Sequence, residues 1–168
     1  MGMELVEQVE VGAGGVASIN FAAIPQDALD LQILLSGSVL TGGMNIDMRF
    51  NNNSGASYYL KKLYGTGTGV GSISLSSDSK FTLQATGSPS GWDGFSNATI
   101  YIPNYAGTQN KSVQVDAVNE NNGTGAFQEF YGALWLNSSA ISSIQLLGDG
   151  GNNIAQYTIA SLYKVTNA

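Results

Sequence analysis

Apolar and polar residues alternate along nearly the whole chain, with the two-residue period that is typical of β-strands. In residues 29–36 the odd positions are all leucine or isoleucine, whereas Asp30, Gln32 and Ser36 occupy even positions. Residues 44–51 and 112–117 show the same alternation. The pattern predicts further strands near residues 5–11, 17–22, 58–64, 80–85, 97–102, 127–136, 141–147 and 156–165.

Segments rich in Gly, Asn and Ser separate these strands, and such segments are typical of turns. They read "NNNSGAS", "GTGTGVG", "TGSPSGWDG", "ENNGTG" and "GDGGNN" along the chain. Only residues 25–30, "PQDALD", favour even one helical turn. Many short strands without intervening helices predict an all-β fold, an antiparallel jelly-roll-type β-sandwich with a single domain over residues 1–168.

Two of the predicted strands carry apolar residues at both odd and even positions, the two parities of a strand, whose side chains point to opposite faces. A sandwich strand buries only one of these faces in its own core. The second face needs a cover, which is either another segment of the same chain or a neighbouring subunit. The candidate residues for an oligomer interface are Phe130, Leu134 and Leu136 on one strand, with Ala160 and Leu162 on the other.

A loop between two predicted strands contains large aromatic residues that strand alternation does not explain. Trp92 and Phe95 lie in "GSPSGWDGF", among Gly, Ser and Pro residues that interrupt strand pairing. Such a loop either folds back as a plug over the end of the sandwich or inserts its aromatic side chains into a partner. Both alternatives remain open at this stage.

Composition excludes several classes of function. The chain contains 0 Cys and 0 His, which excludes thiolate chemistry, cysteine-ligated zinc and serine–histidine catalysis. Charged residues make up 11% of the chain, against about 25% in typical soluble proteins. With a net charge of −6 and six basic residues, the chain lacks the basic surface that nucleic acids and anionic membranes require.

No motif predicts a metal or cofactor site. Asp149 lies in a Gly-rich turn, and Asp116, Asn119 and Glu120 lie in another polar segment, but neither follows the ligand spacing of a calcium loop. The first twelve residues lack the basic and apolar regions of a secretory signal, which predicts synthesis in the cytoplasm. We therefore expect no cofactor, no metal and no catalytic residues.

Three segments carry a resemblance to a known group of proteins. "VGAGGVASINFAAIPQDALDLQILLSG", "FSNATIYIPNYAGTQNKSVQVDAVNENN" and "AQYTIASLYKV" follow one another along the chain. In this order they resemble a β-sandwich of virion structural proteins of tailed bacteriophages, most closely a capsid decoration (cement) protein.

The resemblance implies a non-enzymatic protein that binds the outside of the phage head and bridges capsid subunits. Its partners would be itself, as a homotrimer, and the major capsid protein, and it would be found on the virion surface after synthesis in the host bacterial cytoplasm. The alternative is a receptor-binding or fibre-tip module that recognises bacterial surface glycans through residues such as Tyr58, Tyr59, Tyr64, Tyr101 and Tyr105. A carbohydrate-active enzyme is a third and weaker hypothesis.

Overall fold

The computed structural model describes residues 2–40, 45–84, 94–120 and 126–166. These residues form twelve β-strands and one 3₁₀ turn, Asp149–Gly151. The strands are β1 (Gly2–Glu10), β2 (Ser18–Phe21), β3 (Asp30–Gly37), β4 (Asn45–Phe50), β5 (Tyr58–Thr66), β6 (Gly69–Asp78), β7 (Phe81–Gln84), β8 (Ser96–Pro103), β9 (Lys111–Glu120), β10 (Ala126–Trp135), β11 (Ile144–Gly148) and β12 (Ile159–Thr166).

The strands form two antiparallel sheets with the topology of a jelly roll. The larger sheet has the order β1-β12-β3-β8-β9-β10-β5-β6, and the smaller sheet has the order β2-β11-β4-β7. Strands β1, β2, β3 and β4 pair with β12, β11, β8 and β7 respectively, so the pairs nest from the chain ends inward. Nested antiparallel pairs that alternate between two sheets define a jelly roll, which confirms the predicted fold class.

Two inserted hairpins extend the larger sheet beyond the eight jelly-roll strands. Strands β5 and β6 form one hairpin between β4 and β7, and β9 and β10 form the other between β8 and β11. Strand β10 pairs with both β9 and β5, so the two hairpins continue the larger sheet as one unit. Strand β6 is therefore one edge of the larger sheet and β1 is the other.

The core lies between the two sheets. It consists of the alternate apolar residues predicted from the sequence. The inward residues of β3 and β4 are buried, as are those of β8 and β9. On β10 the inward residues Tyr131, Ala133 and Trp135 are buried, whereas Phe130 and Leu134 face outward. With no cysteine in the chain, this apolar burial is the main source of folding free energy.

Four aromatic side chains join the inserted hairpins to the smaller sheet. Phe50 and Phe81 come from the smaller sheet, and Tyr58 and Trp135 come from β5 and β10. The ring centroids of Phe50 and Trp135 are 5.4 Å apart, and those of Tyr58 and Phe81 are 4.8 Å apart, both in edge-to-face geometry. The hydroxyl of Tyr58 donates to the carbonyl of Asn53 at 3.0 Å, so this buried ring keeps its polar group satisfied.

Two sequence-based predictions of secondary structure are wrong. Residues 26–29 form bends rather than a helical turn, and β3 begins at Asp30. Strand β6 was not predicted, because its Gly and Ser residues read as a turn and its few apolar residues are partly exposed. A strand at a sheet edge buries little, so its sequence carries a weak alternation signal.

We predict that Phe81→Ala lowers the free energy of unfolding by about 3–5 kcal/mol, because it removes a fully buried ring that contacts both sheets. Urea denaturation followed by circular dichroism measures this change. The matched control is Phe130→Ala, whose side chain is 51% exposed on the outward face. Equal losses for the two variants would contradict the described core.

Candidate functional site

The outward face of β5 and β10 carries a group of exposed apolar side chains, which we name the outward patch: Leu63, Phe130, Leu134 and Leu136. Phe130, Leu134 and Leu136 are 51%, 37% and 42% exposed, so three of the five predicted interface residues lie on the surface. Leu63 opposes Phe130 across the β5–β10 pair and is 63% exposed. The patch is a row of neighbouring side chains on paired strands, which is the kind of surface that protein partners cover.

A shallow groove crosses this patch towards the β6 edge. Leu63, Val70, Gln128 and Phe130 are among its lining residues. Gly132 lies between Phe130 and Leu134 on β10, and a Cβ added there would meet no atom within 4 Å. The missing side chain therefore leaves a notch between two large apolar side chains.

Charges are sparse around the outward patch. Asp116 opposes Phe130 across the β9–β10 pair, and Lys61 opposes Gly132 across the β5–β10 pair. The ammonium group of Lys61 donates to the hydroxyl of Ser74. A partner of the patch would meet mainly apolar carbon and hydroxyl groups, with one charge of each sign beside them.

Ala160 and Leu162 do not belong to this surface. Both are fully buried on the inward face of β12 and belong to the core. Their prediction as interface residues is wrong, because the register pairs Ala160 with Leu35 and Leu162 with Ile33, which are buried residues on the inward face of β3. The outward parity of β12 carries Ser161 and Tyr163, which align with the outward residues of β3.

Of the two aromatic residues in the predicted loop, the structure describes Phe95 but not Trp92. Phe95 precedes β8 and is 40% exposed. Trp92 lies outside the described residues, so the choice between a plug and a partner anchor stays a prediction for this side chain. The half-exposed ring of Phe95 is accessible to a partner.

The five tyrosines that favour glycan binding are each engaged within the chain. Tyr58 and Tyr105 are buried in the core. Tyr64 stacks on Phe127 with a centroid distance of 5.7 Å and an interplanar angle of 5°. The hydroxyl of Tyr101 donates to Asp30 at 2.5 Å, which raises the pKa of the Tyr101 hydroxyl, and the hydroxyl of Tyr59 lies 3.1 Å from that of Ser77.

A second feature is a buried ion pair on the inward face of the inserted hairpins. The ammonium group of Lys62 donates to Oε1 of Glu129 at 2.9 Å, and both side chains are almost completely buried. Both charges lie on the same parity as apolar core residues, Leu60 on β5 and Tyr131 on β10. The position of both charged residues among inward apolar residues was the only signal in the sequence for the ion pair. Period-2 alternation did not identify the pair.

Polar atoms near this pair are poorly satisfied. Asn119 opposes Phe127 and Glu129 opposes Ala117, so Asn119 and Glu129 are diagonal neighbours on the inward face. Within the described ranges, four buried oxygens at this end of the sheet have no hydrogen-bond partner: Oγ of Ser96, Oδ1 of Asn119, Oε2 of Glu129 and the hydroxyl of Tyr131. Each such group costs roughly 1–3 kcal/mol, and the aromatic end contains one such atom, Nε1 of Trp135, so the end with Glu129 carries more of this cost.

Burial determines how Glu129 titrates. It raises the pKa of the Glu129 carboxyl above its ordinary value, and the hydrogen bond and positive charge of Lys62 only partly oppose the shift. Burial also raises the pKa of the Tyr131 hydroxyl well above its ordinary value, and the negative charge of Glu129 adds to this shift. The pair is thus a strained structural element in which the neutral carboxyl is favoured relative to water.

The described residues contain no cluster of three or more acidic side chains, histidines or cysteines that could hold a metal ion. The Gly-rich turn at Asp149 is a 3₁₀ turn, in which Gly150 and Gly151 have positive φ and Asp149 accepts a hydrogen bond from Asn45. Across the same residues, none of the secondary structure is a helix with the length and apolarity to span a bilayer. The outward patch is therefore the best candidate for a functional surface.

We predict that Glu129→Gln changes the pH dependence of stability. Because the pKa of Glu129 is higher in the folded than in the unfolded protein, its contribution to stability is present below the unfolded pKa of about 4.3 and is lost as pH rises through the folded pKa. Glutamine stays neutral, so the variant should gain stability relative to the parent between pH 4 and pH 7. Urea denaturation at both pH values measures this difference.

The control for this experiment is Glu7→Gln, because the side chain of Glu7 is exposed on β1 and stays in water after folding. The stability of this variant relative to the parent should change little over the same pH range. A difference between the parent and Glu129→Gln that does not vary with pH would show that burial does not control this carboxyl.

Comparison with family models and curated proteins assigns no role to these surfaces. The chain matches no protein-family model and no curated protein sequence. Its function therefore has to be inferred from the residues and geometry described above.

Proposed function

We propose that this protein is a non-enzymatic structural protein of a bacteriophage particle. It acts as a capsid decoration protein that binds the outside of the head and stabilises it by bridging capsid subunits. The observation that carries the proposal is the outward patch, an exposed apolar row on a strand whose opposite face already fills the core. A monomer gains nothing from this row, whereas an assembly protein buries it against a neighbour.

The fold and the resemblance support the same conclusion. Jelly rolls are the scaffold of many viral capsid domains, although they also form lectin domains, so the fold alone does not decide. The three segments that resemble virion proteins contain β2, β3, β8, β9 and all but the last residue of β12. Four of these strands, β12, β3, β8 and β9, are consecutive in the larger sheet, and β2 belongs to the smaller sheet.

The mechanism is stabilisation by mass action and multivalency. A protein that binds only the assembled shell stabilises it by RT ln(1 + [L]/Kd). If copies associate as a homotrimer through Phe130, Leu134 and Leu136, each trimer presents three equivalent binding surfaces to the major capsid protein. The second and third contacts then form at high effective concentration, so weak single contacts add up to firm attachment.

The surface chemistry suits a protein that works outside cells. Charged residues make up 11% of the chain and its polar residues are mainly amides and hydroxyls. Hydrogen bonds between neutral groups depend less on salt than exposed ion pairs do. Attachment through such groups and the outward patch would persist across a wide range of ionic strength.

The direct test is attachment to phage heads. Purified protein mixed with heads of the phage that encodes it should co-sediment with them and should raise the temperature at which they release DNA. Cryo-electron microscopy should then locate it on the outer surface of the head. Binding to bacterial surface glycans without binding to heads would contradict the proposal and favour the receptor-binding alternative.

A second test addresses the outward patch. We predict that Phe130→Asp combined with Leu134→Asp lowers the molar mass in light scattering about threefold, because carboxylates would be buried at the subunit contact. The thermal midpoint should change little, since both side chains are already partly in water. The matched control is Met3→Asp with Leu29→Asp, which alters two exposed apolar residues away from the patch.

An unchanged molar mass in the patch variant would exclude this surface as the subunit contact. Unfolding of the patch variant alone would show that the two side chains serve the fold of the monomer instead.

A further inference from the structure

The two sheets end in four edge strands, and three of these edges are protected against pairing with another chain. An exposed edge presents unpaired backbone N–H and C=O groups, which proteins guard with short strands or with charged side chains. Strands β2 and β7 are four residues long. Strand β1 exposes Glu4, Glu7 and Glu10 along its length.

Among the described residues, strand β6 is the unprotected edge. It is ten residues long, and its first charged residue is Asp78 at its C-terminal end. Gly69–Leu75 pairs with β5 without a register shift, whereas an irregularity lies between Leu75 and Asp78. Val70 is 92% exposed and most of the other residues of β6 are also exposed, so the free edge of this regular stretch is open to solvent.

The side chains of this stretch are complementary to themselves in the antiparallel direction. Pairing centred on Ser72 sets Gly69 against Leu75, Val70 against Ser74 and Gly71 against Ile73 of a second copy. Every large side chain thus faces glycine or serine. The ring of Tyr64 already lies over Gly71, so Ile73 of the second copy would pack against this ring.

We propose that β6 pairs with β6 of a second copy of this chain, antiparallel and centred on Ser72. The pairing joins two eight-stranded sheets into one continuous sheet about a two-fold axis perpendicular to it. The contact adjoins the outward patch, because Ser72 opposes Leu63 across the β5–β6 pair, but it is made by the backbone edge of β6 and does not require attachment to the capsid. It joins copies in pairs, whether those copies are single chains or members of a trimer.

Charge opposes a second copy less at β6 than at the other long edge, β1. Each copy carries a net charge of −6, so most surfaces of two copies repel each other. At β6 no carboxylate of either copy lies within the paired stretch, whereas pairing through β1 would bring rows of glutamates together. The outward patches of the two copies would also face the same side of the joined sheet.

The test is a charge reversal across the two-fold axis. Ser72→Glu places two carboxylates opposite each other, and Ser72→Lys places two ammonium groups opposite each other. Each variant alone should show half the molar mass of the parent in light scattering at the same concentration. An equimolar mixture of the two should recover the mass of the parent, because opposite charges then face each other.

Ser36→Glu and Ser36→Lys are the matched controls, since Ser36 is exposed on β3, which pairs with β8 and β12 on its two sides and lies away from the β6 edge and from the outward patch. Neither should change the molar mass. Hydrogen exchange gives an independent readout: backbone amides in residues 69–75 of the parent should exchange more slowly at high than at low protein concentration.

Two outcomes would overturn the proposal. One is equal molar mass for the parent and both Ser72 variants, together with amide exchange that does not depend on concentration. The other is loss of mass in each variant without recovery in the mixture, since that means β6 pairs with a different surface. Failure to attach to phage heads, by contrast, would contradict the capsid function and leave the β6 contact standing.

Discussion

The contact between four aromatic rings holds the inserted hairpins on the jelly roll, and the proposed functional surfaces depend on it. Phe50 and Phe81 of the smaller sheet pack edge-to-face against Trp135 and Tyr58 of the larger one. Without this contact, β5 and β10 would continue the larger sheet past the reach of the smaller sheet with their inward side chains uncovered. The outward patch and the β6 edge both lie on these hairpins, so their position follows from a packing interaction on the opposite face of the same strands.

The inward face of β10 changes character along its length, and this divides the core into two ends. Trp135 and Ala133 lie in apolar surroundings, whereas Glu129 lies beside Lys62 and near several unsatisfied oxygens. Burial of apolar side chains stabilises the fold, whereas a buried charge pair often contributes little net stability. Local opening should therefore begin at the end of the hairpins that carries Glu129, and the aromatic end should open last.

Period-2 alternation predicted most of the fold, because strands that bury one face must place apolar residues at every second position. It succeeded for β3, β9 and β10, including the outward parity of Phe130 and Leu134. It failed for β6, where an edge strand of Gly and Ser buries too little to leave a pattern. It also could not tell which parity of β12 faces inward, since both carry apolar residues, and the register of β12 with β3 shows this.

The nested pairing of β1 with β12 has a consequence for the order of events in folding. Strand β12 lies between β1 and β3, so the larger sheet has a gap until the last described strand has been synthesised. Before that point, β1 has no strand to pair with. The inward side chains of β3 have no neighbours on the side that β12 later occupies. Sheets closed by partners distant in sequence fold slowly, because the loop entropy is lost before the contacts form. A chain emerging from the ribosome thus carries an open sheet edge at β3 until β12 has been made, whereas β1, still unpaired, exposes glutamates that oppose its pairing with another chain.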